Sequence, residues 1–104
     1  MTDHDKDRLL TALGFAMKAG KIVSGELAAE KALRSGRAKL AAVDAGASEN
    51  TKKHWSDITG SAGVPIVFAD GVGKAIGKSA RMVACITDSG FAEMALKCRI
   101  QNEE

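Results

Sequence analysis

A cluster of cations surrounds the start of a predicted helix at Gly25, and this arrangement could bind phosphate groups. Only Glu26 and Glu30 contribute opposite charge between residues 18 and 39. A helix N-terminus attracts anions because its first backbone N–H groups have no intrahelical partner and the helix dipole is positive there. The sequence therefore predicts an anion site for a phosphate-rich partner. The cations are Lys18, Lys21, Lys31, Arg34, Arg37 and Lys39.

A second basic element consists of Lys74, Lys78 and Arg81, and no acidic residue occurs between Asp70 and Asp88. Ordinary surface charge is one interpretation of this segment. However, residues 77–82 lead into the last predicted strand, whereas Gly25 follows the first. In a compact sandwich of helices and sheet, we expect the two basic elements to open on one edge of the sheet.

The helix after Gly25 has an apolar side chain on its predicted outer face. Leu27 lies there with Lys31 and Arg34, which predicts a surface that combines an apolar contact with phosphate-binding cations. The alternative is a single exposed leucine of the kind common on protein surfaces. The opposite face is predicted to enter the core through Ala28, Ala29, Ala32 and Leu33.

Residues 71–79 resemble two nucleotide-binding motifs without completing either. A P-loop would need its first glycine at position 72, which is Val72, and a helix after Gly77-Lys78-Ser79, where a strand is predicted instead. The dinucleotide fingerprint needs two residues between its last glycines, but Gly73 and Gly77 enclose three. We therefore expect no nucleotide cofactor.

No set of residues suggests catalysis or metal binding. Asp44 and Asp88 follow predicted strands and are expected to serve as turn and cap residues. No nucleophile, base and orienting group come together, and no CxxC motif is present. We expect a non-enzyme with no metal site and no small-molecule substrate. The isolated candidates are His4 and His54, expected on the surface, and Cys85 and Cys98, expected as buried thiols.

The length favours one domain over residues 1–104, because the chain can form a single core but is too short for two. With Trp55, three phenylalanines and no tyrosine, RNA binding by stacked aromatic side chains is disfavoured. The formal net charge is +2, but acidic residues concentrate near the termini and leave the middle basic. The first residues do not resemble a secretion signal and no run is apolar enough for a membrane span. We expect a cytoplasmic protein.

Helical and short apolar segments alternate along the chain. Strands are predicted near residues 20–23, 39–43, 65–68 and 82–87. Helices are predicted up to Gly20, over 25–35, over 49–60 with Ser48 as its cap, over 71–77 and after Asp88. This order predicts an α/β fold, a three-layer α/β/α sandwich with a small four-stranded mixed sheet.

Four motifs resemble the ribosomal protein L7Ae-like family, in particular its small bacterial branch. They are LGFAMKAGKIVSG at 13–25, KALRSG at 31–36, ASENTKK at 47–53 and GKAIGK at 73–78. They occur in order with matching spacing along nearly the whole chain. The resemblance implies an α/β/α sandwich that binds kink-turn RNA, a sharply bent duplex with a bulge beside tandem sheared G·A pairs. It implies neither catalysis nor a cofactor.

The resemblance also implies a site. The family's Gly-x-Asn-x-x-x-Lys motif falls on Gly25, Leu27 and Lys31, so that Leu27 replaces a polar residue that reads guanine edges. The next family position is acidic and is Ala28 here. The second family contact falls on the loop 78–82. The expected RNA-binding residues are Lys21, Ser24, Gly25, Glu26, Leu27, Lys31, Arg34, Lys78, Ser79, Ala80, Arg81 and Met82.

The leading hypothesis is thus a cytoplasmic, ribosome-associated protein that holds structured RNA, such as kink-turn or ribosomal RNA, between the helix start and the loop. Lys21, Lys31 and Arg34 would neutralise phosphates, and Leu27 would pack on an unstacked base. The alternative is a protein-interaction module on the same fold that has lost specific RNA recognition, with Leu27 as a partner contact.

Overall fold

The computed structural model describes the backbone of residues 3–102 and the side chains of residues 8–97. Helices and strands alternate along the chain. The helices are α1 Asp3–Lys18, α2 Glu26–Arg34, α3 Glu49–Ala62, α4 Val72–Ala75 and α5 Ser89–Asn102. The strands are β1 Ile22–Ser24, β2 Leu40–Asp44, β3 Ile66–Ala69 and β4 Val83–Ile86. No helix in this described part has the length and apolar character that crossing a membrane would require.

The four strands form one mixed sheet in the order β1-β4-β2-β3. The strands β2 and β3 are parallel, whereas β4 is antiparallel to both of its neighbours. In this register Ser24 lies opposite Ala84, Val43 opposite Val83, and Asp44 beside Ala69. The ends of β1, β2 and β3 therefore meet the beginning of β4 at one edge of the sheet, called the carboxyl edge below.

Helices cover both faces of the sheet, so the predicted three-layer sandwich is confirmed. On one face, α1, α4 and α5 enclose a core that includes Leu13 and Ile86. On the other face, α2 and α3 enclose a core that includes Val43 and the fully buried Trp55. Alanine makes up half of the buried residues in each core, and these small side chains let the helices approach the sheet closely.

The predicted caps are confirmed, because the Ser48 hydroxyl accepts a hydrogen bond from Thr51 N–H and the Asp88 carboxylate accepts one from Phe91 N–H. One core residue was assigned wrongly. Ala28 is exposed, whereas Ala29, Ala32 and Leu33 are buried as predicted. At 100° per residue, Ala28 points about 90° from the mean direction of those three side chains. It therefore lies on the flank of α2, beyond the stripe that reaches the sheet.

Candidate functional site

The helix α2 begins at the carboxyl edge with a glycine that no other residue can easily replace. Gly25 is the N-cap, with φ 91° and ψ 142°, and its N–H donates to the Val83 carbonyl over 2.8 Å. L-amino acids rarely adopt this positive φ. A Cβ atom here would also collide with the Arg81 guanidinium, whose Cζ would be 3.3 Å away. No side chain caps the helix start, so its first amides remain open to an external group.

Three segments that are distant in sequence line a groove of about 300 Å³ at this helix start, called the Gly25 groove below. One wall is the start of α2, a second is the loop 80–82, and a third is the connection from β2 into α3. The first two walls include parts of the two basic elements expected to open together, but of the second element only Arg81 lines this groove, and Lys74 lines a separate groove between α1 and α4. The third was not predicted, although β2 ends next to β4. The residues of this third wall are Gly46, Ala47, Ser48 and Thr51.

The loop 78–82 rests on α4 through a glycine. Lys78 N–H donates to the Gly73 carbonyl over 2.8 Å, and Arg81 N–H donates to the Lys78 carbonyl over 2.9 Å. A Cβ atom on Gly73 would lie 2.6 Å from the Lys78 carbonyl oxygen and would also collide with that of Arg81. The missing side chain therefore allows the loop to pack directly on α4. In the sequence, Gly73 belongs to an incomplete nucleotide motif and to the family-like motif at 73–78, and neither predicts this contact with the loop.

Asp44 connects the segments around the groove. Its Oδ1 accepts a hydrogen bond from Gly46 N–H over 2.8 Å, and its Oδ2 accepts from Gly71 and Val72 N–H over 3.0 Å each. Its own N–H donates to the Met82 carbonyl over 2.8 Å. The predicted turn role is confirmed, and the carboxylate also stabilises the start of α4. One residue thus fixes the β2–α3 connection, α4 and the end of the loop 78–82 relative to one another.

The outer face of α2 adds an apolar and a cationic side chain beside the Gly25 groove. Leu27 is 88% exposed, as its position on the predicted outer face requires. Lys31 follows one turn later and is also exposed, and no described side chain forms an ion pair with it. From the opposite wall, Met82 lines the groove and is 43% exposed. Met82 therefore gives the groove an apolar contact, whereas Leu27 and Lys31 lie exposed outside its lining, on the helix that forms the other wall.

Of the cations predicted around the helix start, Lys18 lines a separate groove between α1 and α4, and Lys21 and Arg34 also lie away from the Gly25 groove. The Lys21 carbonyl accepts a hydrogen bond from Thr87 N–H over 2.9 Å, which places Lys21 at the end of the sheet opposite the carboxyl edge. Arg34 lies in the last turn of α2, and its Nε and Nη2 contact Glu30 Oε2 at 2.9 and 2.6 Å. The structure does not bring either side chain to Gly25, because counting charges along the chain ignores the direction in which each one points.

His54 has a partner that the sequence did not reveal. Its Nε2 lies 2.8 Å from Glu30 Oε1, so that Glu30 joins α2 to α3 while it also binds Arg34. The hydrogen bond from His54, followed by that from Arg34, lowers the pKa of Glu30. No acidic partner of His54 was evident in the sequence, and its side chain is exposed at the surface as expected. This cluster connects the exposed faces of α2 and α3 outside the groove.

One cysteine, Cys85, lies among the described side chains. Cys85 is buried as predicted, and burial raises the pKa of its thiol to about 12. Such a thiol stays protonated at neutral pH and is a poor nucleophile. No group of three or more metal-ligating side chains occurs within the described part of the chain. His4 and Cys98 lie outside the described side chains. Gly77-Lys78-Ser79 leads into β4, not into a helix, as predicted.

Comparisons with known proteins agree on one family. The model of the ribosomal protein L7Ae/L30e/S12e/Gadd45 family matches residues 7–95. The RNA-binding protein YlxQ of Bacillus subtilis (strain 168) is 42% identical over 83 residues, which are 77% of this chain and 83% of the relative. The RNA-binding protein YlxQ of Enterococcus faecium is 35% identical over 96 residues, which are 89% and 92% of the two chains.

Solved structures share the fold. A protein of unknown function from Bacillus halodurans C has a TM-score of 0.81 and 31% identity over 93% of this chain and 98% of its own. The 15.5kD RNA binding protein of Giardia lamblia has a TM-score of 0.78 over 96% of this chain and 92% of its own. Because its identity is 24%, it supports the architecture alone.

Proposed function

Because the chain belongs to the ribosomal protein L7Ae/L30e/S12e/Gadd45 family, we propose that it is a non-catalytic protein that binds kinked RNA in the Gly25 groove. The names of its two YlxQ relatives support RNA as the partner. The observation that carries the proposal is the meeting of an uncapped helix start, the Arg81 guanidinium and the loop 80–82 in one groove. We further propose that the RNA is a kink-turn, bound in the cytoplasm in association with ribosomes.

The groove walls suit a sharply bent backbone. The first amides of α2 and the Arg81 guanidinium are donors for phosphate oxygens and for acceptor atoms on base edges. The loop 78–82 would hold the RNA from the other side, and Lys31 would neutralise a phosphate. A regular A-form duplex hides its base edges in a deep, narrow groove, whereas a kink opens them and unstacks neighbouring bases. Leu27 and Met82 would then pack on such a base.

A second candidate function is protein binding without specific RNA recognition. It is favoured by Leu27, which is 88% exposed at the position where the family has a polar base-reading residue. The two functions differ in their response to salt. Phosphate-led binding weakens steeply as salt rises because counterions are released, whereas an apolar protein contact depends on salt only weakly.

Lys31→Ala is expected to weaken RNA binding and to reduce the slope of log affinity against log salt by about one, which corresponds to one lost phosphate contact. The measurement is fluorescence anisotropy with labelled kink-turn RNA between low and physiological salt. The matched control is Lys97→Ala, which removes an exposed lysine on α5 and should change neither affinity nor slope. Equal effects of both substitutions would indicate diffuse electrostatic binding and would contradict the proposed site.

Leu27→Asn is expected to improve discrimination between a kink-turn and a plain duplex. One good polar contact to a base edge contributes about 1–3 kcal/mol, or roughly tenfold or more in affinity. The fold should tolerate the change, since Leu27 is almost fully exposed. The measurement is the ratio of affinities for the two RNAs. Lower affinity without better discrimination would show that Leu27 is itself a useful apolar contact and that the base-reading position has been lost.

A further inference from the structure

A second groove lies on the other face of the sheet, between α1 and α4. It has a volume of about 760 Å³ and shares no lining residue with the Gly25 groove. Gly14 forms part of its floor and allows the helices to approach, because a Cβ atom there would lie 3.3 Å from the Ala75 carbonyl oxygen. Leu10 continues this floor and is only partly buried. We call it the Phe15 groove.

Phe15 is the aromatic residue in the lining of this groove, and its side chain is 51% exposed. It belongs to the motif 13–25, yet it takes no part in the Gly25 groove. Aromatic side chains contribute strongly to binding when a partner covers them. Phe15 and Leu10 together therefore form an apolar surface that is suitable for an anchoring side chain from another molecule.

The charged residues around Phe15 are mainly basic. Lys18 and Lys74 line the groove from α1 and α4 and are both exposed. The carboxylate in the lining, Asp70, is engaged in an interaction within the chain. The apolar surface between the two lysines would fit the apolar side chains of a partner segment, and the lysines would fit carboxylates on the same side of that segment.

We propose that the Phe15 groove binds an acidic amphipathic segment of a partner protein. An aromatic or aliphatic anchor would pack on Phe15 and Leu10, and carboxylates would face Lys18 and Lys74. The observations favour a peptide over RNA. The groove is concave, with an aliphatic and glycine floor, and two lysines are few for a nucleic-acid surface, which depends on many phosphate contacts. This proposal is independent of RNA binding at Gly25.

The test is a display library of 12-residue peptides selected against the intact chain. We expect enrichment of sequences with acidic residues around leucine or an aromatic residue. A chosen synthetic peptide should bind with an affinity that Phe15→Ser lowers about tenfold or more. The double substitution Lys18→Glu and Lys74→Glu should also weaken binding of this acidic peptide. The same variant should bind a peptide with basic residues in place of the acidic ones more tightly than the wild-type protein does. Amide chemical shifts of residues 10–18 and 70–75 should change on titration.

Phe68→Ser provides the matched control, because Phe68 is 40% exposed and lies on β3 outside the groove. It should leave peptide binding unchanged, and circular dichroism checks that each variant is folded. The proposal is wrong if no acidic sequence is enriched, or if Phe68→Ser and Phe15→Ser have equal effects. Titration with a plain RNA duplex that shifts the same amides would identify a nucleic-acid surface instead and would equally overturn it.

Discussion

Gly25→Ala is expected to lower RNA affinity about 10- to 100-fold. The new methyl group would occupy the position of the Arg81 guanidinium and force this side chain away from the start of α2. A hydrogen bond from a charged donor contributes about 1.5–3 kcal/mol, which corresponds to that loss in affinity. The positive φ of 91° adds backbone strain, about 1–3 kcal/mol in the free energy of unfolding. The measurements are anisotropy with kink-turn RNA and urea denaturation.

Gly36→Ala is the matched control for the strain. Gly36 also has a positive φ, 80°, but a Cβ atom there would meet nothing within 4 Å. Its substitution should lower stability by about 1–2 kcal/mol and leave RNA affinity unchanged. If Gly25→Ala and Gly36→Ala change affinity equally, strain alone explains the result, and the groove does not form the binding site.

Gly73→Ala is expected to displace the loop 78–82 and to lower RNA affinity by about tenfold or more. The methyl group would collide with backbone carbonyls of this loop, which cannot rotate away as a flexible side chain could. Overpacking of this kind costs about 1–3 kcal/mol in stability. The amides of Lys78 and Arg81 donate the hydrogen bonds that hold the loop. Their hydrogen exchange should therefore accelerate more than that of the β4 amides.

Gly60→Ala is the matched control for Gly73→Ala, because the added methyl group should meet no other atom. Gly60 is exposed within α3 and has open space at its Cβ position. Alanine should stabilise this helix by about 0.5–1 kcal/mol without changing RNA affinity.

Unchanged hydrogen exchange at the Lys78 and Arg81 amides in the Gly73→Ala variant would show that α4 does not support the loop.

The fold was predictable because short runs of apolar residues indicate strands, whereas apolar residues spaced three or four positions apart indicate helices. Short apolar runs such as 39–43 and helix boundaries such as Ser48 are local signals, and they determine which segments form the sheet and its two helical layers. The strand order β1-β4-β2-β3 was not predicted. It depends on long-range pairing, which leaves no signal in a single sequence.

The candidate site was only partly predictable. Gly25 and the loop 78–82 could be associated because each adjoins a strand end. Direct contact between Arg81 and Gly25, and the connections made by Asp44, depend on side-chain directions and on distant backbone amides. For the same reason the ion pair between Arg34 and Glu30 was not predicted. Local charge counts show that a segment is basic, but not which of its cations converge.

The most direct test compares a kink-turn RNA with the same RNA in which the sheared G·A pairs are replaced by Watson–Crick pairs. Both are titrated at several salt concentrations with the wild-type protein. If the Gly25 groove recognises the kink, affinity for the altered RNA should be lower by roughly tenfold, about 1.4 kcal/mol, at every salt concentration. Equal affinity for the two RNAs with the same salt slope would contradict kink recognition and would leave only non-specific binding to phosphates.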